Sequence, residues 1–289
     1  MRINSLSFCC VVKNEENYIE ELVESLLNVS KYINSLEFIF IDDFSKDSTY
    51  DILKRFSKKD IRFKVVKNTV PGKVCGTNLA LNLCSKEFVK FVDGDDVLDG
   101  DYNLNLGSFD CLYHDYRTLE NHKKQYIKIG NWLSESPHVV SSNFRSIPKA
   151  MFIFKTTFIK KYFPIPDRLP FEDLWINLAA SESKKIIYLE DSMYLYRQHN
   201  NQFYGALSNF NSQKKIRMAD RFIKYYDYLS NNDHPFNFLS PNIEIKFYAE
   251  ALSSNNFIAY LKLLKFPKLF FKAIFYNFSF VVRLIWRSK

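Results

Sequence analysis

The sequence predicts an α/β protein in which a mainly parallel sheet is flanked by helices and followed by a helical extension at the carboxyl terminus. Three observations carry this expectation. The first hundred residues alternate strand and helix patterns, polar clusters rich in acids fall directly after the apolar runs, and from about Asn209 the chain turns helical, basic and aromatic. A β-α-β-α-β-α-β order makes successive strands parallel and puts helices on both faces of the sheet.

Leu6 to Val12 is a continuous apolar run, as a strand buried on both faces requires. Tyr18, Ile19, Leu22, Val23, Leu26 and Leu27 follow at helical spacing, with Asn14 as the expected cap. Leu36 to Ile41 reads as the second strand and ends in Asp42 and Asp43. Ser45 to Thr49 supplies turn and cap residues for a helix carrying Ile52, Leu53 and Phe56, and Ile61 to Val66 reads as the third strand. Asn78 to Cys84 is an expected helix and Glu87 to Val92 the fourth strand. Beyond residue 108 the pattern is mixed, with strands expected at Cys111 to Tyr116, Gln125 to Ile129, Ala150 to Phe154, Ile186 to Leu189 and Met193 to Tyr196. Between them Pro170 precedes a helix that opens on Glu172 and Asp173, where acids complement the helix dipole.

With 289 residues and 47% hydrophobic content, the chain can bury a core of one large domain with an appendage or of two small domains. The five cysteines, Cys9, Cys10, Cys75, Cys84 and Cys111, show no Cys-x-x-Cys spacing and sit mostly in apolar segments, as reduced core residues of a cytoplasmic protein do. Leu6 to Val12 is too short for a secretory signal and ends in Lys13-Asn14-Glu15-Glu16. Much of the net charge of +8 lies in Asn256 to Lys289, which has no acidic residue and alternates Lys and Arg with Phe, Leu, Ile, Tyr and Trp. Charges interrupt every window that could span a bilayer. The composition suits either a peripheral contact with an anionic membrane surface or packing of an apolar face on the protein itself. Nucleic acid is not the expected partner, because the acids gather where a ligand would bind.

In open sheets of this kind the ligand crevice lies outside the carboxyl ends of the strands. Lys13 to Glu16, Asp42-Asp43 and Asp93 to Asp96 all fall there. The run Phe91-Val92-Asp93-Gly94-Asp95-Asp96 is the most telling, since buried carboxylates need a metal, hydrogen bonds or solvent. On an extended chain Asp93 and Asp95 share one side, where both can face a hard divalent ion and the phosphates it carries. Asp-Gly-Asp also occurs in plain turns.

Five segments, SFCCVVKNEENYI, IFIDDFSKDST, FVKFVDGDD, PFEDLWINLA and YRQH, stand in the order and approximate spacing of a known family. Over roughly Leu6 to Phe203 the chain resembles the family 2 glycosyltransferases of the Rossmann-like GT-A fold. The resemblance implies a catalytic domain over 1–205, divided at about 105 into a nucleotide-binding half (1–105) and an acceptor-side half (106–205), and a helical, basic, aromatic region over 206–289. It implies an enzyme of the hexosyltransferase class that moves a sugar, with inversion, from a nucleoside-diphosphate sugar to a hydroxyl of a lipid-linked or surface-polysaccharide acceptor, with uridine diphosphate as the expected nucleotide. Asp42 and Asp43 match acids that bind base and ribose, although acids here also cap the following helix. Val12, Asn14, Glu15, Lys73, Asn78, Asp93 and Gly94 are expected around the nucleotide sugar, and Arg197 against a phosphate. Asp95 matches the direct ligand of Mn²⁺ or Mg²⁺, and His199 a histidine that completes the metal site. Asp173 matches the catalytic base. Glu172 beside it can raise its pKa or merely cap the helix. The chain departs from the pattern at Lys13, where many members carry an aromatic residue, and at Thr77-Asn78, where many carry Arg-Asn; the positive charge near the diphosphate then falls to Lys73.

Two other readings make different demands. A nucleotidyltransferase needs a Gly-rich phosphate loop after the first strand, and Lys13-Asn14-Glu15-Glu16 is not one. A membrane-surface binder without catalysis gains nothing from acids gathered at three strand ends.

Overall fold

The computed structural model describes residues 3–29, 31–120, 122–131, 133, 146–199, 212–236, 246, 247, 249–251, 257–266 and 270. The described residues up to 199 form one compact unit, and those from 212 onward form a second.

The first unit is built on strands β1 (Ser5–Val12), β2 (Ser35–Asp42), β3 (Phe63–Lys67) and β4 (Phe88–Asp93), joined by helices α1 (Ile19–Val29), α2 (Thr49–Lys59) and α3 (Lys73–Leu83). They pair in parallel in the order β3-β2-β1-β4. In register, Val12 lies beside Asp42 and Val11 beside Asp93, so the expected polar clusters end at one level of the sheet. The apolar runs of β1, β2 and β4 are buried almost throughout, which is why they read as continuous rather than alternating. With Lys90 on β4, Glu37 on β2, 3% exposed, is a charged exception. Its carboxylate accepts from Ser7 Oγ (2.6 Å), the Ser85 N–H (2.6 Å), Ser85 Oγ (3.0 Å) and Lys64 Nζ (2.7 Å). Burial raises its pKa, but those donors outweigh burial and hold it down at about 2.

Element ends differ in places from the sequence reading. Asn14 does not cap α1: it lies at φ 58°, a left-handed conformation Asn tolerates, and the Glu15 carbonyl accepts the first helical bonds from Tyr18 and Ile19. Ile61 is 94% exposed and outside β3, because Asp60 and the Arg62 guanidinium close a turn there. Helix α3 starts at Lys73, five residues before Asn78, where Gly72 at φ 127° lets the chain turn into it.

The rest of the unit extends the sheet in mixed directions. Strands β5 (Val97–Leu98), β6 (Cys111–Glu120), β7 (Lys123–Ile127), β8 (Phe152–Lys155) and β9 (Ile186–Arg197) complete the order β3-β2-β1-β4-β8-β6-β9-β5, with β7 paired to β6. Pairs β4–β8, β6–β8, β6–β7 and β5–β9 are antiparallel, and β6–β9 is parallel with register shifts about Asp115. The two expected strands between 186 and 196 are the single strand β9. A 3₁₀ turn (Lys149–Met151) leads into β8, and α4 (Thr156–Ile159) and α5 (Asp173–Ser181) follow.

In the second unit, α6 (Ser212–Asn231) and α7 (Phe257–Leu263) belong to a small apolar cluster in which Ala249, Ala251 and Leu263 are buried against Phe222, Ile223, Phe247, Tyr260 and Phe270. Most of Asn256 to Lys289 lies outside the described residues, including all of 271–289, and so does the membrane-surface reading of that segment. Among the described residues no helix is long and apolar enough to cross a membrane.

Candidate active site

The loop after β1 is fastened to the loop after β2. The Asn14 N–H donates to Ser45 Oγ (3.0 Å), Asn14 Oδ1 accepts from the Lys46 N–H (2.8 Å), and the Glu15 N–H donates to Thr49 Oγ1 (2.7 Å). Val12 is buried, and with Glu15 it packs on Gly94, where an added Cβ would stand 2.9 Å from Glu15 Cγ and 3.1 Å from Val12 Cγ1. Only glycine lets these loops close. Burial and then the charge of Asp95 push the Glu15 carboxyl up to about 8.

The two acids after β2 divide. Asp43 is committed to the fold, since its Oδ1 accepts from Asn68 Nδ2 and from the Gly72 N–H, both at 2.8 Å. Asp42 Oδ1 is buried with no hydrogen-bond partner among the described residues. A buried orphan acceptor is costly unless a ligand supplies the donor.

Asp93, at the end of β4, does not face outward with Asp95. The strand stops at Asp93, Gly94 and Asp95 form a turn, and the two carboxylates have different partners. Asp93 Oδ1 accepts from Lys73 Nζ (2.8 Å) and Lys149 Nζ (2.5 Å), while its own N–H donates to Tyr194 Oη (2.9 Å). Lys149 Nζ also lies 3.1 Å from Glu172 Oε1, and the Lys149 N–H donates to Asp173 Oδ1 (2.8 Å). Thus Asp93, Lys73, Lys149, Glu172 and Asp173 form one cluster. Burial raises the Asp93 and Glu172 pKa values, but the lysine charges outweigh it and hold both carboxyls below the usual range. Asp173 goes the other way, raised by burial and by the adjoining Glu172. Neighbouring acids whose pKa values are pushed apart suit different tasks.

A second cluster forms where β9 ends. His199 Nε2 lies 3.1 Å from Asp95 Oδ2, and its ring stacks on Tyr18 with centroids 5.0 Å apart. Arg197 Nε donates to the Asp95 carbonyl (2.8 Å), and its guanidinium sits 2.5 Å from Glu21 Oε2 and over the Tyr18 ring. In this arrangement Arg197 braces the loop after β4. Asp96 is buried, with Oδ1 accepting from the Arg197 N–H (2.7 Å). Burial and then Asp95 raise its pKa. The Asp95–His199 pair offers one carboxylate oxygen and one imidazole nitrogen side by side, a donor set that fits Mn²⁺ or Mg²⁺. Among the described residues no group of three or more His, Cys, Asp or Glu is gathered around one point. A cation here would therefore take its remaining ligands from water and phosphate oxygens.

Asn78 stands apart. Its amide clamps the Ile165 backbone in both directions, Nδ2 to the carbonyl (2.7 Å) and Oδ1 from the N–H (2.8 Å). Sequence reasoning missed Lys149. The signal was a lysine between Pro148 and the apolar run Ala150 to Phe154, a position that read as the mere start of a strand.

Residues 7–106 match the family described as Glycosyl transferase family 2. Over that stretch, about a third of its length, the chain is similar to glycosyltransferase family 2. It is 26% identical over 255 residues to glycosyltransferase GlyA of Streptococcus pneumoniae, covering 78% of this chain and 34% of that protein. It is 27% identical over 192 residues to the poly(ribitol-phosphate) β-N-acetylglucosaminyltransferase TarS of Staphylococcus aureus, covering 63% of this chain and 34% of that one. The chain spans about a third of the length of these curated relatives. Among solved structures it resembles TarS 1–349 in complex with UDP (TM-score 0.52, 19% identity, 88% of this chain and 80% of that chain). It also resembles the Pyrobaculum calidifontis mannosyltransferase PcManGT in complex with GDP-Man and Mn²⁺ (TM-score 0.57, 15% identity, 92% and 76%). At these identities the likeness establishes the fold, which is GT-A.

Proposed function

We propose that this chain is a family 2 glycosyltransferase that moves a sugar from a nucleoside-diphosphate sugar, with uracil as the base, to a hydroxyl of a surface-polysaccharide acceptor, inverting the anomeric carbon. The observation that carries the reading is the joining of Asp173 to the donor-side acids at one level of the sheet, through Lys149. Asp173 is half-buried, with one oxygen held by the Lys149 N–H and a pKa raised above that of an ordinary aspartate, as suits a base that must accept a proton near neutral pH. As the acceptor oxygen bonds to the anomeric carbon, its proton passes to Asp173. The bond from that carbon to the diphosphate oxygen breaks, and its electron pair leaves with the nucleoside diphosphate. Lys73, half-exposed at the start of α3, can compensate that charge. A divalent ion held by Asp95 and His199 would add Lewis-acid stabilisation of the leaving diphosphate. Asp42, with its orphan oxygen, is the proposed partner of an imide N–H or a ribose hydroxyl. The acceptor class follows the poly(ribitol-phosphate) β-N-acetylglucosaminyltransferase TarS named above. Peripheral attachment to an anionic membrane through Asn256 to Lys289 rests on composition alone, and flotation with anionic vesicles of the chain with and without that segment tests it.

The test of the main reading is the melting temperature of the chain against uridine, guanosine, cytidine and thymidine diphosphates with and without Mn²⁺, followed by nucleotide release from the matching sugar nucleotides. A ligand that binds only the folded state raises the midpoint. A Mn²⁺-dependent rise with UDP supports the reading; no rise with any nucleotide overturns it.

A further inference from the structure

Lys149 is the most deeply buried cation of the site, 2% exposed, and its neighbours make that burial tolerable. Its ammonium group faces Asp93 on β4 and Glu172 at the head of α5, and its backbone N–H faces Asp173. The turn that carries it is itself fastened on two sides. Lys90 Nζ on β4 donates to the Ala150 carbonyl, and Asn177 on α5 bonds the Ile147 backbone in both directions, at 2.9 Å and 2.7 Å. Lys73 contacts the same acids, at 2.8 Å from Asp93 and 3.9 Å from Glu172, yet its side chain is 50% exposed. The two lysines are therefore not equivalent. Lys73 is free to turn toward a diphosphate, and Lys149, locked on its turn, stays between the acids when it does.

We propose that Lys149 is a positioning residue that holds the donor-side Asp93 and the acceptor-side pair Glu172 and Asp173 in one constellation. The inference deepens the transferase reading and rests on it for its kinetic consequence, but not for the bridge itself. Without the Lys149 ammonium group only the half-exposed Lys73 offsets two buried carboxylates, and they separate or take up protons. Asp173 then loses its alignment, and a displacement of about 1 Å at a reacting group can cost roughly 100-fold in rate.

The experiment has two arms, on the full chain. The first needs no catalysis: melting temperatures of Lys149→Met, Glu172→Gln and the double variant. Groups in direct contact are coupled, so the double variant should melt about 4 °C or more above the value that summed single losses give. Additive losses overturn the bridge. The second arm measures nucleotide transfer by wild type, Lys149→Arg and the double variant, which keeps the test alive if Lys149→Met alone fails to fold. Loss of the pin should lower kcat about 100-fold with the donor KM within about three-fold, and arginine, which keeps charge and reach, should recover most of it. A donor KM that rises in step with the loss of kcat, or an arginine variant as inactive as the double variant, overturns the positioning role. A wild-type chain that transfers nothing defeats the transferase reading, while the first arm still decides the bridge.

Discussion

The two halves of the first unit bring their polar residues to the candidate site by different physical means. In the parallel half, β1 to β4, the acids arrive through topology alone, because every strand runs the same way and every strand end opens at one level. In the mixed half, Lys149 comes from a 3₁₀ turn, Asp173 from a helix start, and Arg197 and His199 from the end of a strand whose register shifts about Asp115. No shared direction aligns these residues. They are held instead by long-range polar cross-links, Asn78 to Ile165, Asn177 to Ile147, Lys90 to Ala150 and Lys149 to Asp93. A parallel sheet positions its ligands as a consequence of its order, whereas antiparallel additions need explicit ties.

The division of labour can be broken most severely at Asp173. The variant Asp173→Asn should lower transfer by about 10²- to 10⁴-fold, the usual worth of a general base, and leave the nucleotide-induced rise in melting temperature in place. If nucleotide binding fell equally, the acceptor-side half would also be holding the donor. Next in size, Asp95→Ala should abolish the Mn²⁺-dependent part of stabilisation by UDP, a shift of about 5 °C at ligand well above Kd. A variant that keeps the Mn²⁺ effect would move the metal elsewhere.

Glu37 sharpens the comparison from the other side, as a buried acid of the parallel half with no place in the crevice. Its folded pKa, about 2, lies below the ordinary 4.5, so its contribution is fully present above pH 4.5 and is lost as pH falls through about 2. Glu37→Gln should therefore cost on the order of 2–3 kcal/mol at neutral pH in urea unfolding, a gap that closes toward acid. A gap that persists below pH 2 would mean that packing, not charge, sets the loss. The smallest effect concerns pH and rate. Because burial and Glu172 raise the Asp173 pKa, transfer should fail as pH drops through that raised value, and Glu172→Gln should move the acid limb of kcat/KM to lower pH. An unmoved limb would separate the two acids electrostatically.

Much of the parallel half was legible in sequence. Continuous apolar runs at Leu6, Leu36 and Phe88, each ending in polar residues, specify buried strands and their exits, and the positions of Asp42, Asp93 and Asp95 follow. The roles of single side chains were less legible. Asn78 and Asp43 look alike in sequence whether they bind a ligand or clamp a backbone, and here the Asn78 amide and one oxygen of Asp43 hold the fold. Nothing local in the sequence pairs Arg197 with Glu21, far away along the chain, which lies against its guanidinium here. Lys149, Lys90 and Glu37 gave no sign of being buried, since charged side chains normally lie in solvent.

By itself the sequence determined the α/β class, the succession of strands and helices over the first hundred residues and the level at which acids emerge. Those features follow from hydrophobic periodicity and chain direction, which are local properties. Only the tertiary structure decided which acid faces which lysine, which oxygen of Asp42 is left for a ligand, and that Lys149 joins the donor side to the proposed base. Ion pairing depends on separations of a few ångströms between residues dozens of positions apart, and that distance is written in the packing rather than in the order of residues.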